Sequence, residues 1–148
     1  MIRVKLVFLV LIMCSSFINE QHKETYSLTI TVKELRNLKG HVQFTIYNKD
    51  KSIPDEKFEG YYLMKTGVID NNSEARVTFK NLPKGKYAVN ILHDENKDGK
   101  IDKGWVLPTE GVGFSNFESI GLRNRPKFSK ASFELDKDKT VAVKIIYF

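Results

Sequence analysis

Between His93 and Asn116 the chain reads HDENKDGKIDKGWVLPTEGVGFSN, and its oxygen-bearing side chains are spaced for metal chemistry. Asp94, Asn96 and Asp98 occupy alternate positions, Gly99 follows, and Asp102 comes shortly after. That is the opening of a calcium loop, D-x-[DN]-x-[DN]-G, in which side chains at alternate positions of a tight turn converge on one point. Calcium is a hard cation that takes about six to eight oxygens. The pattern therefore assigns Asp94, Asn96, Asp98 and Asp102 as side-chain ligands of calcium, with Lys100 supplying its carbonyl. His93, Glu110 and Ser115 are expected to form the surrounding shell. The closing position of an EF-hand loop would be a bidentate Glu, but here it is Trp105. With no flanking helices in the pattern, the expectation is an EF-like loop on a β scaffold, with Glu110 as a distal carboxylate.

The same residues also spell a metal-free turn. Asn and Asp bond their own backbone, Asp98-Gly99 is a turn signal by itself, and Lys97, Lys100 and Lys103 dilute the negative charge. His93, Asp94 and Glu110 around a metal-bound water would make a hydrolase, whereas a histidine that caps the loop by hydrogen bonding does no chemistry. Gly111-Val112-Gly113 lacks the strand-to-helix context of a phosphate loop. Ser115 lies in G-F-S-N rather than in a nucleophile elbow. Trp105 and Phe114 are either ligand contacts or plugs for the open end of the fold.

The elements that position this segment are strands. Leu28, Ile30 and Val32 alternate with Ser27, Thr29 and Thr31; Val42, Phe44 and Ile46 alternate with Gln43 and Thr45. Tyr87, Val89 and Ile91, then Val141, Val143 and Ile145, repeat the pattern, each predicting a strand with one face in a core. Weaker strands are expected over 61–68, 75–79 and 132–135. Asn37-Leu38-Lys39-Gly40, Asp70-Asn71-Asn72-Ser73 and Asp136-Lys137-Asp138-Lys139 carry turn chemistry. Asn81-Leu82-Pro83-Lys84-Gly85-Lys86-Tyr87 reads as strand, tight turn and strand, with Gly85 free to take a positive φ. This hairpin resembles one in prealbumin-like and collagen-adhesin B-type sandwiches. The expected fold is all-β: a single immunoglobulin-like or prealbumin-like antiparallel β-sandwich of about seven strands over residues 26–148.

Arg3 and Lys5, an apolar run from Leu6 to Met13 and the small Cys14-Ser15-Ser16 have the layout of a secretory signal over residues 1–16. The run is too short for a membrane span of about 20 residues, and residues 17–25 are expected to be a flexible lead-in. The protein is thus expected to be exported, to the periplasm or the cell surface. Lipid anchoring through Cys14, the single cysteine, is the minor route, because Met13 is large for a lipoprotein box. The 24 Lys and Arg outnumber the 18 Asp and Glu, but they form no basic stripe interleaved with aromatics. Nucleic acid is not an expected partner; an extracellular or periplasmic ligand is.

H-D-E-N-x-D-G-x-x-D, then P-x-E-G-x-G-F-S-N, then Pro126 and Ala131-Ser132-Phe133, resemble an uncharacterised family of exported bacterial proteins, domain-of-unknown-function family 2141. The resemblance runs from about Tyr26 to Phe148 and departs at Leu107, where a Gly is expected before Pro108. It implies the fold, export and the place of the site, and no chemistry. The leading expectation is a non-enzymatic exported domain whose long loop organises calcium or another ligand. The alternatives are the metal-dependent hydrolase and a structural or adhesive module with a metal-free loop.

Overall fold

The computed structural model of the protein describes residues 24–105 and 107–148. The export signal over residues 1–16 falls outside the described residues. The alternating segments form strands where expected: β1 (Thr25–Val32), β2 (His41–Tyr47), β3 (Leu63–Gly67), β4 (Ala75–Pro83) and β5 (Gly85–Asp94). They are followed by β6 (Gly111–Phe114), a single helical turn α1 (Phe128–Ala131), β7 (Phe133–Leu135) and β8 (Lys139–Ala142). One sheet has the order β4-β1-β8 and the other β3-β2-β5-β6, with β7 also paired to β5. The two face each other as an all-β sandwich of eight strands. One pair, β1 with β8, is parallel, because the chain returns to β1 from the opposite end rather than through a hairpin.

Period-two alternation places the core. Leu28, Ile30 and Val32 of β1 meet Val42, Phe44 and Ile46 of β2 between the sheets, and all six are buried. On β5, Val89 and Ile91 join this core, but Ala88 and Leu92 are buried as well. Both faces of β5 are covered, since the chain on either side of Ile53 and Phe58 and the chain from Phe117 to Ala131 fold over the outside of the larger sheet. There they build two smaller apolar clusters, one around Tyr47, Phe114 and Phe128, the other around Phe58, Leu92 and Val112.

The segment Asn81 to Tyr87 is not a hairpin. β4 pairs with β1 in one sheet, whereas β5 pairs with β2 in the other, so Pro83 to Gly85 carries the chain across the sandwich. The positive φ falls on Asn81, at 58°, and not on Gly85. The Tyr87 hydroxyl donates to the Pro83 carbonyl at 2.8 Å and pins this corner.

The opposite edge is closed by the end of the chain. Val143 N–H donates to Thr31 in the smaller sheet, and Ile146 exchanges two hydrogen bonds of 2.8 and 3.0 Å with Val112 in the larger one. This crossing explains the glycines of Gly111-Val112-Gly113. A Cβ on Gly113 would stand 2.3 Å from the Lys144 carbonyl oxygen, and one on Gly111 would stand 2.4 Å from the Tyr147 ring. Gly113 thus admits a close backbone approach, and Gly111 makes room for the side chains of Tyr147 and Ile145.

Candidate functional site

β5 delivers His93 and Asp94 to the end of the sandwich, and both are fully buried. Asp94 organises the loop after it. Its Oδ1 accepts the Asp98 N–H at 3.2 Å and its Oδ2 accepts the Gly99 N–H at 2.8 Å. His41 Nε2 lies 3.2 Å from the same Oδ2. The chain then turns through two positive-φ residues, Lys97 at 65° and Gly99 at 74°. Asn96 Oδ1 also accepts the Asp98 N–H, Asp98 Oδ1 accepts the Lys100 N–H, and both bonds are 2.9 Å. The Asn96 amide nitrogen donates to Asp102 Oδ2 at 2.9 Å. The loop thus brings Asp94, Asn96, Asp98 and Asp102 together, and it does so by saturating backbone amides with side-chain oxygens.

Glu110 lies beneath this loop. Its two oxygens accept the Glu95 N–H at 2.8 Å and the Asp102 N–H at 3.3 Å, clamping both arms. Burial raises its pKa, against the lowering effect of those two amides. The outer part narrows to a small hairpin, with the Lys103–Pro108 bridge and the Thr109 N–H donating to Asp102 O at 2.8 Å.

His93 has no nitrogen left for chemistry. Nε2 lies 2.9 Å from the Lys39 carbonyl, an acceptor only, so Nε2 carries the proton. In the neutral ring Nδ1 then accepts from the Tyr147 hydroxyl, 2.7 Å away. Around this pair stands a group that sequence reasoning missed. Arg36 donates to Glu95 at 2.6 Å and to the Thr109 carbonyl at 2.9 Å, and its guanidinium lies 4.7 Å from the centre of the Tyr147 ring. Burial works to raise the Glu95 pKa. Hydrogen bonds from Asn37 and Arg36, together with the Arg36 charge, outweigh it and leave the carboxyl below its ordinary value. No local spacing could have revealed the partnership, because Arg36 and Glu95 lie far apart in the chain and meet only through the fold.

Ser115 stands apart from the loop, at the far end of β6. It is buried, its hydroxyl donates to the Ala131 carbonyl at 2.7 Å and accepts the Val89 N–H at 2.9 Å. Asn116 next to it donates to the carbonyls of residues Lys130, Ala131 and Ser132. Both are anchors for the chain covering the larger sheet. Phe114 is buried, whereas Trp105 is fully exposed beside Leu107, Pro108 and Phe148 around a shallow apolar hollow.

As a cation site the loop offers five donor groups, four side chains and the Lys100 carbonyl, where calcium takes about six to eight oxygens from carboxylates, carbonyls and water. Among the described residues, no three His, Cys, Asp or Glu side chains are grouped to hold a metal ion. A carboxylate has about four lone-pair sites, so the amide bonds leave capacity on Asp94 and Asp98; the Asn96 amide would have to turn over to face an ion. No helix among the described residues is long and apolar enough to cross a membrane.

No curated protein and no solved structure matches this chain. A family model does, over residues 30–143, described as an uncharacterised protein conserved in bacteria. That match takes in all the strands from within β1 to the end of β8, the acidic loop and the crossing glycines, so the chain belongs to this bacterial family, DUF2141.

Proposed function

We propose that the protein is an exported, non-enzymatic binding module of bacteria that displays a preformed loop with Trp105 at its tip. One observation carries the reading. The three groups a hydrolase would need, His93, Asp94 and Glu110, are buried and committed to structural hydrogen bonds, while the same segment turns Trp105 and Leu107 to solvent. An exposed aromatic on a hydrogen-bonded loop offers a large contact at small cost in ordering. Export is supported by the charged, apolar and small residues of the first 16 positions. The test is retention of the purified protein on cells of its own bacterium, with Trp105→Ala as the partner variant. Wild type should be retained and Trp105→Ala lost at an unchanged melting temperature. Equal retention of the two would end this reading.

A second reading, calcium binding by Asp94, Asn96, Asp98, Asp102 and the Lys100 carbonyl, is supported by the contact between Asn96 and Asp102. There an amide N–H sits against a carboxylate where a cation would bridge two oxygens. Calcium would then stiffen the loop that carries Trp105. Trp105 is the single tryptophan of the chain, so its emission reports on this loop directly. An unchanged spectrum and melting temperature across millimolar calcium would dismiss the ion.

A further inference from the structure

The outer face of the larger sheet carries a feature that the loop does not explain. Along β2, Val42, Phe44 and Ile46 fill the inter-sheet core, so Gln43, Thr45 and Tyr47 project from the other face. On β5, Val89 and Ile91 point inward and Asn90 points outward. Thr45 stands directly opposite Asn90 in the ladder, and Gln43 lies two residues along the same face. All three are at least nine-tenths buried, at 5%, 0% and 1% exposure for Gln43, Thr45 and Asn90. They lie on the seam between the two covering clusters, with Tyr47 and Phe114 on one side and Leu92 and Val112 on the other.

Gln43 Nε2, Thr45 Oγ1 and Asn90 Oδ1 have no hydrogen-bond partner among the described residues. A bare buried polar atom is costly, and the three that stand here share one small patch of sheet. Their chemistry is complementary: an amide donor, a hydroxyl that both donates and accepts, and a carbonyl acceptor. Neighbouring positions on one face of a sheet are about 5–7 Å apart, so one small molecule can reach all three. The row carries no charge, which selects against ions. We propose that Gln43, Thr45 and Asn90 form an internal site for a small neutral molecule that carries both a donor and an acceptor. Water is the smallest member of that class and a small carboxamide a larger one. The site is roofed by the chain from Phe117 to Ala131, whose ends are pinned together by Ser115 and Asn116. It is independent of the Trp105 loop.

The isosteric variant Thr45→Val separates an occupied site from a bare one by sign. With a bound molecule, the change strips one of its partners and the melting temperature falls, by about 3–5 °C. With no bound molecule, it deletes an unpaired hydroxyl and the temperature holds or rises, which overturns the proposal. Nuclear Overhauser measurements on the full wild-type chain give a second test. The Gln43 side-chain amide should show contacts to a long-lived water, or to acetamide when that probe is titrated in. Acetamide shifts that saturate in wild type and vanish in Thr45→Val assign the larger occupant; water contacts that acetamide leaves unchanged assign water. A Gln43 amide that contacts neither overturns the proposal without any variant.

Discussion

The Tyr147 hydroxyl lies 2.7 Å from His93 Nδ1, tying the end of the chain to the strand that feeds the acidic loop. The Lys39 carbonyl places a proton on Nε2, so toward the neutral imidazole the tyrosine is the donor. Tyr147→Phe keeps the ring beneath Arg36 but leaves a buried imidazole nitrogen without its donor. It should cost about 1–3 kcal/mol in urea unfolding. An unchanged midpoint would overturn the assignment.

The glycines separate two causes of constraint. Gly113 is limited by space, with the Lys144 carbonyl 2.3 Å from any added Cβ, so Gly113→Ala should cost about 1–3 kcal/mol. Gly99 has open space but a φ of 74°. Gly99→Asn should be nearly neutral and Gly99→Val should cost roughly 1–2 kcal/mol. Thermal melts of the three variants check the order.

Asp94 and Asp98 should differ in calcium-free protein. Asp94→Ala strands the Gly99 N–H and His41 beside a buried position and should cost about 3 kcal/mol, while Asp98→Ala loses one exposed turn bond worth about 1 kcal/mol. If calcium binds, wild type should gain about 2.7 kcal/mol at a hundredfold excess over Kd, with a smaller effect of magnesium. Asp98→Ala should lose that gain. A flat titration of folded wild type leaves the hydrogen-bonded turn as the whole account.

Acid should loosen the loop through Glu95. Its folded pKa lies below the ordinary value, so its contribution is present above the unfolded pKa of about 4.5 and is lost as pH falls through the folded value. Glu110, with a raised folded pKa, works in the opposite sense: its contribution is fullest below about pH 4.5 and declines as pH rises through its folded value. Glu95→Gln should therefore destabilise at pH 7 and much less at pH 3. Unfolding curves at the two pH values decide it; an equal deficit at both would show that the carboxylate charge is not what matters.

The sandwich was legible wherever apolar and polar residues alternate along a strand, as in β1 and in β2, whose outer face is buried as well but keeps the polar Gln43 and Thr45. It failed for β6, whose Gly111-Val112-Gly113-Phe114 is short and buried throughout. It misled at Pro83 to Gly85, since a turn signal gives the bend but not which sheet receives the next strand. In the loop, the spacing of Asp94, Asn96, Asp98 and Asp102 reads as turn chemistry, and the hydrogen bonds they make all run within a few residues. It placed Ser115 with them by nearness in sequence, whereas the fold carries Ser115 down β6 to Ala131. Arg36 and Tyr147 were invisible because they reach the site from opposite ends of the chain.

The route of β1 has a practical consequence for handling the molecule. Thr25 pairs with Pro83 at one pole, and seven residues later the strand ends at the other, where Arg36 reaches Glu95 and Thr109. At about 3.3 Å per residue, the poles are roughly 23 Å apart. Phe148 lies beside Trp105 at the far pole. A bead, surface or fluorescent tag coupled ahead of Glu24 leaves the Trp105 hollow facing outward, whereas the same coupling through residue 148 presses the hollow against its support.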